Sequence, residues 1–183
     1  MKNFFAAIIF AVMALNFSAG SAAEIPLTSA AAGDIYIALK LDTRDKEFPF
    51  TVENIDIDSD TSDENLKSWK CDWIEKSTGK TVAKILLAEN ANKNLSAAMV
   101  VSSLELVNSS EDWAMSVIAL TFSMPGYFGF SDAACKKMYG NFMADPSAGE
   151  WKDWDDAHEK CIHVVSMRDD KIIGFAVYAT DSE

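Results

Sequence analysis

The chain has 183 residues, of which 49% are hydrophobic and 24% charged, and its formal net charge is −12. Such a hydrophobic fraction excludes a disordered or low-complexity polypeptide, and the length suits one domain better than two. The excess of acids disfavours nucleic acid and anionic membrane surfaces as partners, because no basic surface is available to replace the phosphate counterions.

Residues 1–23 read as an export signal. Lys2 gives a short positive start, residues 4–17 are apolar, and residues 18–23 are small, with Ser21 and Ala23 placed for cleavage before Glu24. The apolar stretch falls short of the roughly 20 residues that a spanning helix needs. The expectation is therefore an exported protein, periplasmic or extracellular, with residues 24–183 as a single globular domain and no transmembrane segment after cleavage. Losing Lys2 with the signal would take the net charge from −12 to −13.

After a loose lead over residues 24–33, Ile35, Ile37, Leu39 and Leu41 recur with a period of two, which predicts a strand. Phe48, Phe50 and Val52 then alternate on even positions but Ile55 and Ile57 on odd ones, so a bulge is expected near Glu53 and Asn54. Asp56, Asp58, Asp60, Asp63 and Glu64 begin like a calcium loop. However, Thr61 stands where the turn needs glycine and Lys67 where it needs a bidentate glutamate, so a solvated turn is the reading. Trp69, Cys71 and Trp73 share one face of a strand that turns at residues 78–80 and returns over 82–88, a hairpin. Residues 95–107 read as a buried central strand, with a helix as the alternative.

Residues 113–124 lean to helix. Ser109 or Ser110 would cap it and Pro125 and Gly126 stop it, although Ile118, Leu120 and Phe122 also alternate as a strand would. Residues 131–144 make a better helix, capped by Ser131, with Ala134, Cys135, Met138, Tyr139 and Phe142 on one stripe. Residues 151–160 read as a short charged helix, and residues 162–167 and 172–178 as a C-terminal hairpin around Asp169 and Asp170. The order predicts an α+β fold: an antiparallel sheet of about six to seven strands, two or three helices packed on one face, and a final C-terminal β-hairpin.

Three cysteines in an oxidising compartment allow one disulfide. Cys135 with Cys161 is the expected pair, a staple from helix to sheet, while Cys71 between two tryptophans reads as a buried small hydrophobe. Pairings through Cys71, or no bond, are the alternatives. The densest polar cluster is residues 153–163. His158, His163 and an aspartate suggest a metal site, but the spacing suits neither one helix face nor one strand face. Cys161 and His163 suggest a thiol nucleophile with its base, yet strand neighbours two apart stand roughly 6–7 Å from each other. No serine-hydrolase elbow and no phosphate loop is present in the sequence.

No catalytic, metal or cofactor-binding residue is therefore assigned. The chain reads as a non-enzymatic binding module for a basic protein partner or a small ligand. Its candidate partner surface is Tyr127, Phe128, Trp151, Trp154 and Asp155, where aromatics adjoin acids and predicted loops. The alternatives are a hydrolase or thiol enzyme using Cys161, His163 and His158, or an envelope structural protein without a discrete site.

Overall fold

The computed structural model describes residues 31–45, 47–58, 67–89, 92–156 and 158–180. Residues 1–30, with the expected export signal and lead, and the acidic residues 59–66, where the calcium-loop comparison falls, lie outside the described residues. A helix α1 (Ala32–Asp42) precedes four strands, β1 (Phe50–Asp58), β2 (Lys67–Glu75), β3 (Lys80–Glu89) and β4 (Leu95–Ser103). Helices α2 (Leu104–Ser109), α3 (Glu111–Tyr127) and α4 (Asp132–Ala144) follow, and β5 (Glu150–Asp155), β6 (Lys160–Arg168) and β7 (Ile172–Thr180) close the chain. The strands form one seven-stranded antiparallel sheet in the order β1-β2-β3-β4-β7-β6-β5. This is an α+β fold with a C-terminal hairpin. The first meander fills one half of the sheet, and the helical middle carries the chain to the far edge, from which β5 to β7 return.

Alternation assigns the two faces of the sheet. Cys71 and Trp73 of β2, Ile85 and Leu87 of β3, Val100 of β4, Phe175 and Val177 of β7, and Ile162 and Val164 of β6 meet the helices in one main core. Into it α1 sends Ile35 and Leu39, α3 sends Val117, Leu120 and Met124, and α4 sends Met138 and Phe142. These spacings of three, four and seven make each helix's buried stripe. On the other face Leu86, Met99, Val101 and Ala176 make a smaller buried cluster.

The predicted bulge is present: the β1–β2 register shifts between Glu53 and Asp56, and Asn54 takes a positive φ of 56°. The predicted hairpin of β2 and β3 is also formed, with Gly79 at φ 69° in its turn. Ser110 caps α3 by accepting from the Trp113 N–H at 3.3 Å, and Ser131 caps α4 by accepting from Ala134 at 3.2 Å.

Two elements differ from the sequence expectation. Residues 35–41 are helical, because burial follows Ala32, Ile35 and Leu39, while Ile37 and Leu41 are 56% and 53% exposed. Tertiary contacts fix that choice. The buried Glu89 carboxylate at the end of β3 accepts from the Ala32 N–H at 2.6 Å and from the Trp69 indole at 2.8 Å. A carboxylate against the first turn of a helix is favoured by the helix dipole, so β3 anchors α1 at its start. The helix expected over 151–160 is not formed: residues 150–155 are edge strand β5, paired with β6 from Glu150↔Val165 to Asp155↔Lys160. The strand expected over 95–107 ends at Ser103, whose hydroxyl caps α2. Pro125 does not end α3; it sits inside the last turn, two residues before the helix closes at Tyr127.

Candidate functional site

Between α1 and α3 the sheet is left partly uncovered, and a groove of about 720 Å³ opens there. Its floor comes from the start of the meander. Phe50 and Trp73 stack at 5.5 Å with an interplanar angle of 11°, and Phe48 meets both rings edge-on. Leu39 forms the α1 wall, and Met115, Ala119 and Leu120 form the α3 wall. The Trp73 indole N–H donates to Ser116 Oγ at 3.4 Å, which ties the floor to α3. Phe48 and Met115 are each 41% exposed at the rim, so apolar surface reaches solvent here.

The polar groups of the groove carry one sign of charge. Asp42, Glu75 and Asp112 line it, together with Thr43, Ser116, Ser123 and Tyr127, and no Lys, Arg or His is among the lining residues. Hydrogen bonds from the Thr78 hydroxyl and then the Trp113 side chain hold the Glu75 carboxyl below its ordinary pKa, so it stays ionised. Tyr127 at the end of α3 donates to Asp42 Oδ2 at the end of α1 over 2.9 Å. Burial and then Asp42 push the Tyr127 phenol well above its ordinary pKa, so it remains a donor. This bond is the clasp between the two helices. Tyr127→Phe should cost about 0.5–1.5 kcal/mol in chemical unfolding, the usual worth of one such bond; an unchanged midpoint would show the clasp to be idle.

The residues selected from sequence do not form one surface. Tyr127 lines the groove. Phe128 is 2% exposed and Trp151 3% exposed, both in the main core. Trp154 is half-buried on the opposite face of β5, in register with Cys161. Asp155 is buried and accepts from Ser131 Oγ at 3.4 Å, from the His158 N–H at 3.1 Å, and from His158 Nδ1. It ties the β5–β6 turn to the cap of α4. The groove itself was not read from sequence. Its signal was the Phe48, Phe50 and Trp73 alternation, together with Met115 and Ala119 four apart on α3, and it becomes visible only once residues 32–42 are a helix.

The expected Cys135–Cys161 disulfide is not formed, and none of the three cysteines is in a disulfide. Ile162 and Val164 face the helices, so Cys161 faces the other way, opposite Trp154 and Thr180. Cys135 lies on α4, with its Sγ 3.8 Å from where a Cβ on Gly126 would stand. The sheet lies between the two sulfurs. It separates the histidines in the same way. His158 packs edge-on against Phe130 on the helix side, whereas His163 stacks on Tyr178 at 4.9 Å on the other. Both ring nitrogens of His163 are engaged, Nδ1 with Glu150 at 2.7 Å and Nε2 with Thr180 Oγ1 at 3.0 Å, so neither is directed at the Cys161 thiol. Among the described residues, no group of three or more His, Cys, Asp or Glu is placed to hold a metal ion.

No helix among the described residues is long and apolar enough to cross a membrane. Compared with protein-family models, curated proteins and solved structures, the chain shows no match.

Proposed function

We propose that this chain is an exported binding module, and that the groove between α1 and α3 is where it takes its ligand. The carrying observation is the groove itself: an aromatic floor of Phe48, Phe50 and Trp73, open at the rim, with hydroxyls and carboxylates placed around it. Ligand sites of roughly 300–1,000 Å³ with apolar walls and a few convergent polar groups have this construction. Export rests on the composition of residues 1–23. Recognition would be non-covalent, with apolar burial supplying the affinity and the polar groups orienting the ligand.

The test uses N-phenyl-1-naphthylamine, a neutral apolar fluorophore. It should bind one per chain with blue-shifted emission. Ala119 is exposed on the groove side of α3, so Ala119→Trp should fill the groove without disturbing the core, and should weaken the probe by about tenfold or more. A wild-type protein that does not bind the probe, or an Ala119→Trp variant that binds it equally well, would overturn the assignment.

A further inference from the structure

We propose that the occupant of this groove is a basic polypeptide segment that inserts an apolar side chain and places Lys or Arg against the rim. The inference rests on the groove being a binding site and goes on to name what fills it.

The first argument is charge complementarity. Asp42, Glu75 and Asp112 all line the groove, and no basic residue does. Of the neighbouring amines, Lys76 Nζ donates to the carbonyls of Thr43 and Asp45, and Lys80 Nζ lies 4.4 Å from the centre of the Trp113 ring, from where its charge offsets Glu75 only as the smallest of the influences on that carboxyl. A neutral or acidic chain long enough to cover the rim would desolvate three carboxylates without neutralising them, which is unfavourable, whereas a small neutral probe can stay on the aromatic floor and leave the rim in water. A basic ligand pairs them as it covers them. The net charge of −12 draws the same ligand in from a distance.

The second argument is extent. Ile37, Leu41, Phe48 and Met115 are four of the five large hydrophobics that are exposed among the described residues. All four belong to α1, the segment after it, or the groove wall of α3. Ile37 and Leu41 are four apart and share the outer side of α1, while Asp42 beside Leu41 lines the groove. Apolar surface thus continues past the groove and over α1, farther than a small enclosed ligand would cover. A chain that leaves the groove across α1 would cover it, with the groove as the pocket for its anchoring side chain.

The experiment displaces N-phenyl-1-naphthylamine with two synthetic peptides of one pattern, Leu and Phe among lysines or among glutamates, and with dodecyltrimethylammonium. The lysine peptide should displace the probe at about tenfold lower concentration than either competitor, and raising NaCl from about 0.05 M to about 0.5 M should erase most of that margin. In the triple variant Asp42→Asn, Glu75→Gln, Asp112→Asn the two peptides should converge. If the peptides compete equally in the wild-type protein at low salt, the inference is wrong although the groove still binds. If the cationic detergent matches the lysine peptide, the site is for a small amphiphile and the inference is wrong again. A protein that never binds the probe removes the groove reading, and this inference with it. The salt series on the wild-type chain decides the matter even if the triple variant does not fold.

Discussion

Trp151→Ala should be among the most damaging single substitutions in this chain, lowering stability by about 3–5 kcal/mol. The indole is 3% exposed. Its ring meets Phe142 at 5.0 Å, Phe122 at 5.9 Å and Phe175 at 6.4 Å, and its N–H donates to the Asp145 carbonyl at 3.0 Å. It therefore joins β5 to α3, α4 and β7 at once. Truncation leaves a cavity that rings from three elements cannot readily close, and it strips the acceptor at the end of α4 of its partner. Trp154→Ala is the control, since that ring is half-buried on the outer face of the same strand and should cost much less. Urea unfolding of both variants checks the pair. Equal losses, or a Trp151→Ala loss under about 1 kcal/mol, would mean that β5 does not present its faces in this way.

That pair also shows where the sequence was legible and where it was not. Trp151 and Trp154 are three apart among charges, which fits a helix face as well as two sides of a strand. What decides is the partner: β6 lies across a short turn in which Glu159 takes a positive φ of 53°, a conformation that nothing in its residue type announces. Residues 35–41 failed for a related reason. Ile35, Ile37, Leu39 and Leu41 satisfy a period of two, and the helix leaves two of the four in solvent to accommodate them. A sheet edge already completed by β1, and Glu89 waiting at the first turn, override the local pattern. Where pattern and tertiary demand agree, as in the β2–β3 hairpin, the Asn54 bulge and the Ser131-capped helix, reading and structure coincide.

The groove was hidden by the same two errors. A strand at 35–41 has no wall to offer, so Phe48, Phe50 and Trp73 could be read only as core. A helix at 151–160 would put Trp151 and Trp154 on one exposed side, whereas β5 buries Trp151 in the main core and turns Trp154 to the other face. The disulfide expectation failed on parity. Cys161 sits one residue out of phase with Ile162 and Val164, and a shift of one residue on a strand moves a side chain through the sheet. Tyr127 reaches the groove because it ends α3, where the last turn faces α1.

Alkaline pH should unfold this protein, and Cys71 should be a principal reason. Its thiol is 2% exposed between Trp69 and Trp73 on the helix-facing side of β2. Burial, and next to it the Asp72 charge, push the thiol from its ordinary pKa of 9.0 up to about 12, while Lys84 opposes only in part. The fold thus favours the neutral thiol. The stability linked to it is complete below pH 9 and is lost as pH rises from there towards about 12. The slope is at most about 1.4 kcal/mol per pH unit. Tyr127 and Tyr178, whose phenols are also held up by burial, act in the same direction from their ordinary value of 10. In urea unfolding at about pH 8 and about pH 11, the wild-type chain should therefore lose more stability than Cys71→Ala, which keeps the contributions of the tyrosines and of Cys135, a thiol also raised by burial. Iodoacetamide offers an independent reading, because the half-buried Cys135 should react well before Cys71 in the native protein. Parallel losses in the two proteins, or early labelling of Cys71, would show that this thiol is not sealed in the core.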